Sequence, residues 1–393
     1  MNKIFFLFLV IQVNSCATSR FQQSNGPEER TSISSNNENH AADFHSNIDQ
    51  TEIDLIDGPY IIGDTLYRIN SQNNLIIEYP FRRDSIIVQV DNIYKDRFSI
   101  SLVNNYEVSK STFALSEKIA VIADIEGNFN AFSSFLKANK IMDDNHNWIF
   151  GKNHLVLLGD FVDRGKNVTQ VLWLIYKLEY QARLSNGHVH FILGNHEVMN
   201  FQGDHRYNSM KYISSAQKIS GNTDKKDAVS YMYSKETELG KWLATKNVIE
   251  KIGGYLFVHG GLSPELLDYN LTINDINKLV RSGYRNLPDT TNDTIDFLYG
   301  SLGPFWYRGL VSKSSKYTKI GQGALERINS FYNLEKIVIG HTVVANISKD
   351  LEGKVIRADV SHGRKKRSGA TKGLLIEGGR EYIIDDLGSK KEF

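Results

Sequence analysis

The sequence predicts an α/β fold preceded by a small β module. Three observations carry that expectation. From Ser116 onward, short apolar strands alternate with glycine-containing loops and helical patterns, the signature of βαβ units. Between Asp57 and Thr112, short β-branched runs are broken by turn residues with no helical spacing between them. The composition is that of an ordinary globular chain: 393 residues, 41% hydrophobic, 23% charged, with 46 Lys+Arg against 45 Asp+Glu. That balance excludes a mostly disordered or collagen-like chain and a multi-span membrane protein, and it gives no electrostatic basis for whole-chain nucleic-acid binding.

The N-terminus reads as a signal peptide over residues 1–16. Met1-Asn2-Lys3 precedes an unbroken apolar run, Ile4 to Ile11, far shorter than the roughly 20 residues of a membrane-spanning helix. Val13-Asn14-Ser15-Cys16 follows where cleavage would fall. Cys16 is the single cysteine. One cysteine allows neither an internal disulfide nor a cysteine-based zinc site, so any metal must be held by His, Asp, Glu or Asn. The stretch resembles a bacterial lipoprotein signal. That resemblance implies export to the cell envelope (periplasm or outer membrane), with lipidated Cys16 holding the chain on the bilayer. Residues 17–50, rich in Ser, Asn, Gln and Glu, bury too little apolar surface to offset their ordering entropy and are expected to form a flexible tether.

Residues 51–115 are expected to form the β module, with strands at Tyr60-Ile61-Ile62, Leu75-Ile76-Ile77, Ile86-Ile87-Val88 and Phe98-Ser99-Ile100. In the main domain, 116–393, Ile119 to Ala123 is a buried-type strand and Ala131 to Ala138 a helix. Leu155 to Leu158 is the next strand, and Thr169 to Arg183 has helical spacing. Val189 to Leu193, Tyr255 to Val258 and Ile337 to Ile339 are further strands. Gly373 to Ile376 and Tyr382 to Ile384 are expected to complete a second sheet.

Five of the central strands end in polar clusters: Asp124-Ile-Glu126-Gly-Asn128, Gly159-Asp160-Phe-Val-Asp163-Arg164-Gly165, Gly194-Asn195-His196-Glu197, His259-Gly-Gly261 and Gly340-His341-Thr342. Ligand sites in α/β folds form beyond strand ends. Hard oxygen donors and imidazoles gathered there suit Mn, Fe, Zn or Mg, and a carboxylate shared by two ions builds a two-metal site.

The ordered set G-D-x-V-D-R-G, G-N-H-E, H-G-G and G-H-T resembles the calcineurin-like metallophosphoesterase superfamily, in particular its bacterial, Shewanella-like phosphoprotein phosphatase branch. The resemblance spans about Ile119 to the C-terminus. It implies a four-layer α/β/β/α sandwich and a phosphomonoester hydrolase that uses water activated between two divalent ions. Phosphoproteins or small phosphoesters are the implied substrates. By the same resemblance Asp160 bridges the metals, Asp124 binds the first, and Asn195, His259 and His341 bind the second. His196 is the general acid held by Asp163, and Arg164 grips phosphate. Arg308, in Gly303-Pro-Phe-Trp-Tyr-Arg308-Gly309, is a second phosphate arginine.

The chain departs from the family at two places. Glu126 stands where D-x-H is usual; it is expected to ligate and to favour Mn or Mg at the first position, Mn above all. Leu193 stands where eukaryotic members carry arginine. Glu197 is expected to support the ligands rather than join them. The basic run Arg364-Lys365-Lys366-Arg367 reads by itself as a solvated loop; the resemblance implies that it overhangs the metals, where it would steer acidic or phosphorylated substrates. Two rival readings accompany the phosphatase: a nucleotide or dinucleoside polyphosphate hydrolase, with the insertion around Arg281 to Asp293 shaping its pocket, and a catalytically silent envelope binding protein, for which Glu126 is the argument.

Overall fold

Two six-stranded sheets are built from the apolar runs, and the alternation of side chains along each strand decides what each sheet face touches. The computed structural model describes residues 57–285 and 293–393. The signal, the tether and part of the insertion after Arg281 lie outside the described residues. Within them, no helix is long and apolar enough to cross a membrane.

The N-terminal module comprises a three-stranded antiparallel sheet, β1 (Asp57–Ile62), β2 (Thr65–Ile69) and β3 (Leu75–Glu78), and a two-stranded ribbon, β4 (Ile86–Gln89) and β5 (Arg97–Ile100). Next, β6 (Thr112–Phe113) joins one of the large sheets. The main domain continues with β7 (Lys118–Ile122), α1 (Phe129–Ala138), β8 (His154–Leu157), α2 (Val168–Leu184) and β9 (His188–Phe191). Four short helices follow: α3 (Asn195–Phe201), α4 (Met210–Ser220), α5 (Lys225–Met232) and α6 (Glu238–Leu243). Then come β10 (Ile249–Ile252), β11 (Tyr255–Val258), α7 (Ile273–Gly283), α8 (Asp293–Tyr299), α9 (Gln322–Tyr332) and β12 (Lys336–Ile339). The chain closes with β13 (Ser348–Asp350), β14 (Val355–Arg357), β15 (Lys372–Glu377), β16 (Arg380–Asp385) and β17 (Lys390–Glu392).

One sheet runs β17-β16-β15-β7-β8-β9 and the other β13-β14-β12-β11-β10-β6. Ile119, Val121, Val156, Leu158, Phe257, Val338 and Ile356 share one buried cluster, which is the interface between the sheets. The alternate residues Ala120, Ile122, Leu155 and Leu157 face the other way, into a core with Phe132 and Phe135 of α1 and Val171 and Leu172 of α2. Leu256 and Ile337 belong to that same core with Ile276 and Val280 of α7 and Leu325 and Ile328 of α9. Both faces of each sheet are therefore covered, as near-continuous apolar strands require, and the layers are α/β/β/α.

The last strands differ from expectation. β15 pairs antiparallel with β7, Leu375 opposite Ala120, so β15 and β16 extend the first sheet rather than complete the second. Backbone groups on the open edge of β7 are satisfied by that return. The module is held by its own polar contacts: Trp173 of α2 donates from Nε1 to the Pro59 carbonyl at 2.7 Å, and Tyr106 donates to Glu238 at 2.5 Å.

Candidate metal centre

Parallel register brings the C-terminal ends of the strands together. Ile122 lies beside Leu157 and Leu157 beside Phe191 in one sheet, and Val258 lies beside Ile339 in the other. The residues just beyond these positions are the five polar clusters of the sequence. The backbone there is unusual: Asp124, Glu126, Asp160, Asp163, Arg164 and His341 all have φ between 47° and 70°. Left-handed conformation is uncommon for non-glycine residues, and such positions concentrate at functional sites. Two glycines permit the close approach. A Cβ at Gly194 would sit 2.2 Å from Asp160 Oδ1, and one at Gly159 would sit 2.5 Å from His259 Nδ1.

Asp160, His259 and His341 are buried with ligating atoms all within 4.8 Å of one another. His259 donates from Nδ1 to the Leu158 carbonyl at 2.7 Å. That bond fixes the tautomer and leaves the Nε2 lone pair free. Nε2 lies 3.1 Å from Asp160 Oδ2 and 3.1 Å from Asn195 Oδ1. His341 Nε2 is buried with no hydrogen-bond partner among the described residues. A buried acceptor left without a donor is costly, and a metal ion is the partner this donor set fits: two imidazoles, a carboxylate and an amide oxygen.

On the other side of Asp160, the Asp124 carboxylate receives the His341 amide at 3.2 Å and 3.3 Å. Burial, then the charges of Asp359 and Asp160, push the Asp124 pKa well above the usual carboxylate range. Burial also opposes the charge on Asp160, but His259 and His196 outweigh it and hold the Asp160 pKa well below the usual value. Glu197 supports this loop. Its carboxylate accepts the amides of Asp160, Phe161 and Gly194 at 2.8–2.9 Å.

Glu126 is not gathered into this group. Its carboxylate makes an ion pair with the Arg164 guanidinium. The ligand expected at position 126 is thus engaged by Arg164, the residue expected to grip phosphate. Arg164 also lies 5.0 Å over the Tyr207 ring, and the Tyr207 ring is 4.8 Å from the His196 ring. Arg308 donates from Nη1 to the His341 carbonyl at 2.8 Å, which fixes it beside the same centre.

His196 Nδ1 lies 2.6 Å from Asp163 Oδ2. Burial would depress the imidazole, but the charge of Asp160 and the bond from Asp163 outweigh it and raise its pKa. Asp163 Oδ1 accepts in turn from Asn200 at 2.9 Å and Asn208 at 2.5 Å.

Sequence reasoning missed Asn200, Tyr207 and Asn208. They stand in a polar segment after Gly194-Asn195-His196-Glu197 that reads equally well as a surface loop. The basic run lies near the first cluster: Asn128 donates to the Gly363 carbonyl at 3.0 Å and Asn130 to that of Arg364 at 3.1 Å. Lys366 is engaged by Asp96 of the module at 2.5 Å.

Residues 117–345 match the family model described as "Calcineurin-like phosphoesterase". The chain is 27% identical over 266 residues to Shewanella-like protein phosphatase 1 of Plasmodium berghei, covering 67% of this chain and 69% of that one. It is 24% identical over 310 residues to Shewanella-like protein phosphatase 2 of Arabidopsis thaliana, covering 69% and 78%. A crystal structure described as a cold-active protein-tyrosine phosphatase of a psychrophilic Shewanella superposes with a TM-score of 0.76 at 31% identity, covering 86% of this chain and 99% of that one. With a model match over more than half its length and Shewanella-like phosphatases as homologues, the chain belongs to the calcineurin-like phosphoesterase family and is an enzyme of the phosphatase type.

Proposed function

We propose that the chain is a Mn-preferring phosphomonoesterase acting on aryl phosphates, phosphotyrosine in proteins among them. The observation that carries this reading is the buried group Asp160–His259–His341 beside the His196–Asp163 pair. Asp160 would bridge two divalent ions, with Asp124 on one side and Asn195, His259 and His341 on the other. Such ions draw charge from phosphate oxygens and acidify water. The carboxylates on the Asp124 side are hard donors, which favour Mn or Mg over softer ions.

The chain's own residues do the rest. Arg164 and Arg308 present guanidinium forks to the equatorial phosphate oxygens. His196, whose pKa Asp160 and Asp163 raise against the effect of burial, delivers its Nε2 proton to the leaving oxygen. Tyr207 beside His196 and Trp306, whose ring lies 5.8 Å from that of His341, provide aromatic walls for an aryl leaving group. The tyrosine-phosphatase description of the 31% identical Shewanella structure agrees with this choice.

Export and anchoring through Cys16 are part of the proposal and rest on residues 1–16 of the sequence. A Cys16→Ala protein should move from the membrane to the soluble fraction; an unchanged distribution would remove the anchor. The catalytic reading is tested by stripping the protein of metal, titrating with Mn, and assaying aryl and alkyl phosphates with Asp160→Asn as control. Mn-dependent turnover of aryl phosphate, absent in the control, is expected. A folded protein without turnover on any divalent ion would make the silent binding protein the leading reading.

A further inference from the structure

Two neighbouring pairs of residues face one another beside the centre. Asp163-Arg164 lies between β8 and α2, and Tyr207-Asn208 lies between α3 and α4. Asn208 Nδ2 donates to Asp163 Oδ1 at 2.5 Å. The Arg164 amide donates to the Tyr207 carbonyl at 3.1 Å, and its guanidinium lies over the Tyr207 ring. The same ring lies against that of His196. One dipeptide therefore touches Arg164, His196 and Asp163 together.

Local structure explains the meeting. Helix α3 carries His196 and, one turn on, Asn200, so both side chains stand on one face. Gly203 then turns the chain with φ 75°, and a Cβ there would sit 2.4 Å from the Lys226 carbonyl oxygen. The chain folds back on itself: the Asp204 amide donates to the Met199 carbonyl at 2.8 Å, and the Asn208 amide to that of His205 at 3.0 Å. Asn200 Nδ2 donates to Asp163 Oδ1 and to the His196 carbonyl, both at 2.9 Å. Asn208 Nδ2 uses its second hydrogen on Asn200 Oδ1 at 2.9 Å. These partners are all acceptors, which fixes the orientation of both amides. Asp163 and Asn200 are buried, where an unpaired polar group is costly. Asn208 borders a cavity of about 40 Å³ that Val168, Tyr212, Met232 and Tyr233 also line. A void supplies no packing contact, so hydrogen bonds set where this amide stands.

We propose that Asn208 is a positioning residue for the general acid: it locks Asp163, and through it His196, while Tyr207 ties that lock to Arg164. The phosphate grip and the leaving-group acid are thus held by one dipeptide from outside the strand-end motifs. The inference rests on the reading of His196 as general acid. Asn208 itself does not touch substrate; its effect on the reaction passes through the Asp163–His196 bond.

The test compares Asn208→Ala, Asp163→Asn and the double variant, as full chains with Mn, on nitrophenyl and alkyl phosphates. Asn208→Ala should lower kcat about tenfold, the worth of one hydrogen bond to a charged group, with KM unchanged and the larger loss on the alkyl ester. The double variant should lie within about threefold of Asp163→Asn alone, because both changes break one chain of bonds. A second readout needs no turnover. The Nδ1 proton of His196, assigned by its loss in His196→Gln, should give a far-downfield resonance in the metal-stripped chain, and Asn208→Ala should broaden it or move it upfield. Should the Ala protein not fold, Asn208→Asp keeps the shape, removes the donor, and should give the same kcat loss and the same change in the proton resonance. An equal loss on both esters, additive effects in the double variant, or an unmoved resonance would overturn Asn208 as a positioning residue. Asp163→Asn with wild-type kcat on both esters, or wild type without turnover on either, would instead overturn the general-acid reading, whatever the resonance does.

Discussion

Asp163 Oδ2 lies 2.6 Å from His196 Nδ1, and Asp163 Oδ1 is occupied by the amides of Asn200 and Asn208. The carboxylate is therefore fixed on both oxygens, and the imidazole it holds presents Nε2 toward Asp160, 3.7 Å from Oδ2. Asp163→Asn should lower kcat by about a hundredfold, the low end of general-acid contributions, with KM little changed. The loss should be larger for alkyl than for nitrophenyl phosphate, because an acidic phenol leaves without a proton. An equal loss on both substrates would remove His196 from the leaving-group step.

Arg164 is positioned by Glu126 and Tyr207, and Arg308 by the His341 carbonyl. Each guanidinium is planar and forked, a shape lysine does not reproduce. Arg164→Lys and Arg308→Lys should each weaken competitive inhibition by inorganic phosphate about tenfold, the loss of one charge-assisted hydrogen bond. Unaltered inhibition in either variant would take that arginine out of the phosphate site.

Much of this was legible in the sequence, because glycine-flanked Asp, Asn and His residues at strand ends survive as motifs whatever surrounds them. The four layers and the gathering of Asp160, His259 and His341 were readable for that reason. Three things were not. The return of β15 onto β7 depends on which edge is open, and a lone strand pattern does not say. The pairing of Glu126 with Arg164 depends on a meeting of two charges that only coordinates display. The return of Tyr207-Asn208 onto Asp163 depends on a turn at Gly203 that a polar segment alone does not announce.

The basic run after β14 divides by its contacts. Lys366 is committed to Asp96 and lies 4.4 Å from the Tyr94 ring. Arg364, Lys365 and Arg367 are exposed, and the carbonyls of Gly363 and Arg364 are tied to Asn128 and Asn130 at the start of α1. Their charge is thus held near the centre without being neutralised. Replacing these three residues by glutamine should raise KM for an acidic phosphopeptide about threefold at low ionic strength, and the difference should vanish at high salt as the Debye length shrinks. KM unchanged at low salt would make the run a solvated loop.

At the opposite end of the strands from the metal centre, His154, His188 and His190 cluster around Phe113, whose ring centroid is 4.6 Å from that of His188 and 4.5 Å from that of His190. His190 spans Glu250 at 2.6 Å and His154 at 3.0 Å. Burial depresses all three imidazoles, to about 4 for His154 and about 3 for His188 and His190, while burial raises Glu250 to about 7. The unfolded chain binds protons on these histidines below about pH 6.5, and the folded chain does not until much lower. Stability from the neutral cluster is therefore full above that pH and falls as pH drops toward 4. Glu250 acts in the opposite sense, since the folded state holds its proton from about 7 downward. Three protons against one leave the unfolded state about two ahead near pH 5, a slope of about 2.7 kcal/mol per pH unit. His188→Phe keeps an aromatic ring against Phe113 and removes one of the three titrating groups. Its denaturation midpoint should fall less steeply than that of the wild type between about pH 7 and about pH 5, with the two proteins differing most at the acid end. Parallel curves for the two proteins would show that the cluster carries no pH-dependent stability.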